Sequence, residues 1–310
     1  MDSLPRPDVI LTHESDLDGF VAGHLLQRLA KKLFSSEVRL EAWNTQAWRQ
    51  RAPKERSAWV CDFTFDSRLD RPDWVVIDHH PALAKPAHAR LIHDTSKSAA
   101  LLCYELCKSH GIESPQLDRL VALTDIGDLF REDDPDFDAS QDYAALLKTY
   151  SFWNLSRLID AQIESLIDHP LLTVIRTRRA VEDPLGFEWS HSRIVPLGNG
   201  VGWVDVVVGN SNLIVHRLLR APECAHKVLL TMARKGSAGV VVSLRSLNGE
   251  ALPIARMLQG GGHPNAAGAT LPRGVQGVPE AVEYLRGIFD PRPVPITKLE
   301  DAFAGLTLGR

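Results

Sequence analysis

What the chain lacks narrows it first. No stretch approaches the run of about 18 apolar residues that a membrane-spanning helix requires, so no transmembrane segment is expected. The opening residues, Met1 to Ile10, show no basic segment followed by an apolar one, so no signal peptide is expected. Only four cysteines occur, at Cys61, Cys103, Cys107 and Cys224. Cys103 and Cys107 lie beside Leu101, Leu102 and Leu106, and no second Cys or His pair at matching spacing completes a zinc site. They are expected to be buried free thiols in a reducing, cytoplasmic setting. No long basic tract is present, which argues against extended duplex binding as the main task. Internal repeats and low-complexity segments are absent as well.

What remains is ordinary globular material: 310 residues, 44% hydrophobic and 24% charged, a length that suggests two domains. The charge is uneven. Residues 191–310 hold 13 Lys and Arg against 8 Asp and Glu, while the rest holds 22 against 31. An acidic first part suits a cation site, and a basic second part suits an anionic ligand.

Three short apolar segments end alike. Val75-Val76-Ile77 runs straight into Asp78-His79-His80, which reads as a buried strand of an α/β sheet ending in ligand-type side chains. Val9 to Thr12 opens into His13, Asp16, Asp18 and Gly19, followed by a helix with Val21, Leu25, Leu26 and Leu29 on one face. One helix cap needs one carboxylate, and here there are two beside a histidine. Trp59-Val60-Cys61 carries Asp62. A helix from Leu117 to Leu123 ends at Thr124-Asp125-Ile126-Gly127, making Asp125 a fourth candidate. Asp128 and the acids Glu132, Asp133, Asp134 and Asp136 read as solvated loop. Sites of open α/β sheets lie beyond the carboxyl ends of strands, where these residues fall.

From about Ser140 to Val181 helices are expected, and Glu182 to Gly186, with Pro184, marks a boundary. The domains are therefore 1–185 and 191–310. In the second, strands are expected over Val201–Val208, Val228–Met232 and Val240–Leu244. Helices are expected over Asn212–Leu219, Ala251–Leu258 and Glu280–Phe289. Gly260-Gly261-Gly262-His263 reads as a loop whose bare amides admit a phosphate. The tail carrying Pro291, Pro293 and Pro295 is expected to be loosely attached.

Oxygen and imidazole ligands without thiolate suit Mn²⁺, Mg²⁺ or Fe²⁺. There are too many for one ion, and two ions sharing a bridging carboxylate are the arrangement that hydrolyses phosphoesters.

The ordered blocks HxxDxDG, a strand-end Asp, DHH, TDxG and a distant GGGHPxAAG resemble the DHH phosphoesterases with their DHH-associated second domain. The resemblance runs from His13 to about Leu271. It implies a parallel-sheet catalytic domain, a smaller α/β domain with a mixed sheet, and an active site in the cleft between them. It assigns His13, Asp16 and Asp62 to one Mn²⁺, and Asp18, Asp62, His79 and Asp125 to the other. Asp78 would orient His79, and His80 would face the substrate phosphate. Gly260, Gly261, Gly262, His263 and Arg245, the last in an S-x-R-S setting, would contact substrate. The first motif is one residue shorter than the spelling usual in nanoRNases and family II pyrophosphatases, and the chain is too short for the extra domain of RecJ-type exonucleases.

The expected activity is two-metal hydrolysis of short oligonucleotides such as dinucleotides, or of 3′-phosphoadenosine 5′-phosphate, to mononucleotides. The alternatives are a single-strand-specific exonuclease, a polyphosphate or phosphoanhydride hydrolase, and a nucleotide-binding protein without catalysis. A homodimer is compatible with the sequence and is not decided by it.

Overall fold

The computed structural model describes residues 4–234 and 239–291. The proline-rich tail beyond residue 291 lies outside them. The chain forms two compact units, dividing between Arg179 and Ala180.

The first unit begins with β1 (Val9–His13), α1 (Leu17–Phe34), β2 (Arg39–Trp43), α2 (Thr45–Gln50), β3 (Ala58–Cys61), β4 (Trp74–Asp78) and β5 (Arg90–His93). Five all-parallel strands stand in the order β2-β1-β3-β4-β5. Helices α3 (Ala99–Lys108), α4 (Pro115–Asp128), α5 (Phe137–Tyr150) and α6 (Phe152–Leu158) follow, then α7 (Leu171–His191). Strand alternation divides the apolar residues between two faces. Ile10, Trp59, Cys61, Val75 and Ile77 pack with α1, α3 and α4. Val9, Leu11, Val60, Trp74 and Val76 pack with Trp48, Phe63, Phe65 and Leu69. A sheet covered on both sides explains why its inner strands read as unbroken apolar runs.

Two expectations are corrected here. α4 does not end at Leu123 but continues to Asp128, so Asp128 is helical and not loop. Residues 182–186 do not break the chain's path. Pro184 sits inside α7, and the local packing belongs to the second unit. A Cβ at Gly186 would stand 2.1 Å from the Val208 carbonyl oxygen, and Asp183 Oδ1 accepts from Asn210 N at 2.6 Å.

The second unit comprises β6 (Val195–Gly198), β7 (Val201–Trp203), α8 (Ser211–Arg220), β8 (Val228–Arg234), β9 (Val240–Ser246), α9 (Ala251–Met257), β10 (Gly261–His263), β11 (Ala266–Thr270) and α10 (Val278–Phe289). Its six strands run β10-β11-β9-β8-β7-β6 as a mixed sheet, with β7 and β8 parallel and the other pairs antiparallel. The strand expected over 201–208 stops at Trp203. The glycine triplet is not a loop: Gly261 and Gly262 pair with Gly268 and Ala267 across a hairpin. A Cβ at Gly260 would stand 2.1 Å from the Gly268 carbonyl oxygen, and one at Gly262 2.6 Å from that of Ala266. Close approach of β11 is thus one reason for glycine at both positions.

Candidate metal centre

Parallel strands bring their carboxyl ends to one edge of the sheet. Val9, Ile10 and Leu11 stand level with Ala58, Trp59 and Val60, and Cys61 stands level with Ile77. Continued by one or two residues, that register sets Asp62 between His13 and Asp78. On the far side Asp78 is level with His93.

Asp62 is the first residue beyond β3. Its N–H donates to the Ile77 carbonyl at 3.1 Å, and its φ of +58° lies in the left-handed region. That conformation costs a non-glycine residue about 1–3 kcal/mol and concentrates at functional sites. It divides the carboxylate between two neighbourhoods. Asp62 Oδ2 lies 3.5 Å from His13 Nδ1. Asp62 Oδ1 lies 3.7 Å from His79 Nε2 and 3.9 Å from His80 Nδ1.

On the first side, His13 Nδ1 is 2.6 Å from Asp16 Oδ2, while Asp16 Oδ1 accepts from Gly19 N at 3.0 Å and caps α1. Thr45 Oγ1, at the start of α2, stands 3.3 Å from His13 Nε2. Thr45 carries no signal of its own in the sequence, because the strand that leads to it, β2, buries only Leu40. Metal-binding imidazoles generally need such a partner on the second nitrogen.

On the other side, His79 Nε2 faces three carboxylates: Asp128 Oδ2 at 3.4 Å, Asp62 Oδ1 at 3.7 Å and Asp18 Oδ2 at 3.8 Å. Asp128 stands where Asp125 was expected. Both oxygens of Asp125 are engaged elsewhere, Oδ1 with Ser98 N at 2.7 Å and Oδ2 with Arg131 at 2.8 Å. The hydrogen bond of Asp78 also differs from expectation. It goes to His80, with Oδ1 at 2.8 Å from Nδ1, and the His80 carbonyl lies 2.7 Å from His93 Nε2.

Ligand-type atoms thus gather within 4.8 Å of one another in the sets His13–Asp16–Asp62, Asp18–His79–Asp128 and Asp62–Asp78–His80. Asp62 belongs to two of them. Among the described residues, nothing donates a hydrogen bond to the buried Asp62 Oδ2 and Asp128 Oδ2. A buried carboxylate oxygen without a donor is costly unless a cation meets it.

The titration behaviour carries the same message. Burial, then the charge of Asp62, pushes Asp18 up to about 7. Burial, then Asp18 and Asp62, raises Asp128 well above the usual carboxylate range. Burial also opposes charge on Asp62, but His13 and His79 outweigh it and hold that carboxylate low. Burial opposes protonation of His13 and His79, yet their carboxylate neighbours lift them to about 11 and about 9. Without cations, shared protons must offset the clustered negative charge. The donor set fits divalent cations, with hard oxygens, imidazoles and no thiolate.

In the second unit, His263, Ala266, Arg245 and Leu229 form one row across β10, β11, β9 and β8. Among the described residues Arg245 Nε is buried without an acceptor, and burial pulls the guanidinium down to about 10. Gly261 and Gly268 lie two residues along from this row.

No family model matches the chain, and no curated protein matches it in sequence. Solved structures do share its fold. A pGpG-specific phosphodiesterase from Vibrio cholerae matches over 94% of this chain and 99% of its own, with 15% identity and a TM-score of 0.54. An exopolyphosphatase-related protein from Bacteroides fragilis matches over 93% of each chain, with 16% identity and a TM-score of 0.50. A DHH domain of a member of the s1p family of ribosomal proteins matches over 91% of this chain and 86% of its own, with 15% identity and a TM-score of 0.55. At these identities the likeness is one of fold. It is the fold that the motif resemblance implies, a parallel-sheet unit followed by a mixed-sheet unit.

Proposed function

We propose that this chain is a DHH-type phosphoesterase that uses two divalent cations, Mn²⁺ foremost, to hydrolyse short oligonucleotides to mononucleotides. The observation that carries the reading is the divided carboxylate of Asp62, with Oδ2 toward His13 and Oδ1 toward His79. One acid facing two ligand sets is what a bridged pair of cations needs.

His13 and Asp16 would hold one cation with Asp62, and Asp18, His79 and Asp128 the other. The chemistry a bound pair supplies is activation of water and charge stabilisation on the oxygens of phosphorus. The chain's own groups do the rest. Asp78 holds the His80 imidazole, and its hydrogen bond helps raise the His80 pKa against the effect of burial. His80 then presents a proton donor toward a phosphate oxygen. Among the described residues Arg245 Nε is buried without an acceptor, and the guanidinium suits an anionic substrate group as a planar, two-pronged donor. His263 and the glycine hairpin lie in its row or beside it.

The dinucleotide preference rests on the absence of a long basic track in the sequence given and on the likeness in fold to the pGpG-specific enzyme. The cysteines, all free, support a cytoplasmic setting.

The test is Mn²⁺-dependent turnover on linear RNA from dinucleotide to about 20-mer, the upper lengths calling for an extended stacking groove. Polyphosphate and 3′-phosphoadenosine 5′-phosphate run as parallel arms. Turnover should fall with length and vanish in Asp62→Asn. Fastest turnover on the longest strand, or on polyphosphate, would replace the assignment of substrate. Tight nucleotide binding with no turnover of any substrate would make the chain a binding protein.

A further inference from the structure

The first amides of α3 are met by acceptors from two other helices and from its own cap. Ser98 N donates to Asp125 Oδ1 at 2.7 Å, and Ala99 N and Ala100 N to Asp18 Oδ2 and Oδ1 at 2.8 and 2.7 Å. Leu101 N donates to Ser98 Oγ at 3.2 Å. Such amides have no partner within their own helix, and the positive end of the helix favours carboxylates. Both oxygens of Asp18 are therefore anchored by this turn. Its Oδ2 is also the atom that lies 3.8 Å from His79 Nε2. Where α3 begins decides where the Asp18 carboxylate stands.

A second pair fixes where α3 begins. Arg131 Nη2 lies 2.8 Å from Asp125 Oδ2 and donates to the Ser96 carbonyl at 3.0 Å. One guanidinium thus joins the end of α4 to the segment that leads into α3. The Arg131 side chain is 47% exposed, so it is not a core-packing residue. Asp125 is buried and belongs to none of the ligand sets in the first unit. A surface arginine and a buried aspartate are joined here for no purpose that core packing explains.

Resting on the reading that this cluster holds cations, we propose that Asp125 and Arg131 are positioning residues for one ion alone. That ion is the one offered Asp18, His79 and Asp128. Among the described residues His13 and Asp16 take no hydrogen bond from α3, and their set meets the other one only through Asp62.

The experiment is Mn²⁺ titration of the full chain, followed by electron paramagnetic resonance of the free ion and by calorimetry. Arg131→Gln and Asp125→Asn are each expected to weaken one of two ions by about tenfold, the lower end of what loss of an outer partner costs, and to leave the other unchanged. The double variant should be little worse than the worse single one, since both act through one contact. Arg131→Lys should recover part of the loss, because it keeps the charge without the two-pronged reach. Two unchanged ions in Arg131→Gln, or equal weakening of both, overturn the proposal. If Arg131→Gln does not fold, unchanged binding of both ions in Asp125→Asn overturns it. Asp62→Asn separates the levels. If it binds Mn²⁺ like wild type, the metal centre itself is misassigned. If it loses Mn²⁺ while Arg131→Gln does not, only the positioning role falls.

Discussion

Asp125 and Asp128 leave the last turn of α4 three residues apart and go to different neighbours. Asp125 is bound to Ser98 N and Arg131, and Asp128 Oδ2 stands 3.4 Å from His79 Nε2. Residues at this spacing share a helix face, so a single turn supplies both an anchor for α3 and a ligand-type oxygen for the cluster. Unlike the Asp125 oxygens, Asp128 Oδ2 is buried with no donor among the described residues.

Exchange of Asp128 should therefore cost more activity than exchange of Asp125. Asp128→Asn is expected to lower kcat/KM at fixed Mn²⁺ by about a hundredfold or more, beyond the usual cost of losing an outer partner. Asp125→Asn should mainly raise the Mn²⁺ concentration needed for half-maximal rate. Steady-state rates over a Mn²⁺ series check this, and equal losses of kcat/KM at saturating Mn²⁺ would contradict it.

The same turn shows where the sequence stops being legible. His13, Asp62 and Asp78 to His80 could be found because short apolar strands lead directly into them. The TDxG pattern favours Asp125 and reads Asp128 as loop, whereas the structure sets Asp128 against His79. Both sit at the end of a helix, and only the path of α3 decides which carboxylate it takes up. β2 is an edge strand with only Leu40 buried, so no apolar run announces it. β10 carries no strand signal, because Gly261 and Gly262 have low strand propensity. Its pairing with β11 is a tertiary fact.

Cation binding should also be visible as stability. Clustered carboxylates with donor-free buried oxygens destabilise the folded state until charge is supplied. Mn²⁺ at a hundred times its Kd is expected to add about 2.7 kcal/mol per ion, read as a rise in Tm that a chelator reverses. Asp62→Asn should lose most of the rise, because it weakens both ligand sets. An equal rise in that variant would place the ions elsewhere.

Gly19 links the backbone to this site. A Cβ there would stand 2.2 Å from the His13 carbonyl oxygen and 2.9 Å from His13 Cβ. The Gly19 carbonyl already accepts from Thr12 Oγ1 at 2.5 Å, so the turn has little room to shift. Gly19→Ala is expected to cost about 1–3 kcal/mol, as overpacking does, and to weaken Mn²⁺ binding by moving His13. Chemical denaturation and Mn²⁺ titration check the two effects separately. A variant as stable as wild type with unchanged Mn²⁺ affinity would mean that His13 tolerates displacement.

Away from the cluster, His24 should make the first unit sensitive to acid. Its ring lies against Phe20 and Phe152, with centroids 4.7 and 5.7 Å away. Burial, aided by the charge of Arg28, lowers its pKa from 6.5 to about 4. The folded state therefore holds a neutral imidazole that the unfolded chain protonates more readily. Unfolding takes up protons in this range, so stability falls as pH falls. The contribution is fully present above pH 6.5 and is lost progressively toward pH 4, to a total of at most about 3 kcal/mol. His24→Leu keeps an apolar ring-facing side chain and removes the titration. The difference in unfolding free energy between wild type and His24→Leu should be flat above pH 7 and slope downward below pH 6.5. The difference isolates His24, because the carboxylates and the other imidazoles contribute to both proteins. A difference that stays level from pH 7 to pH 4.5 would show that His24 is protonated in place, with the first unit opening to water around α1.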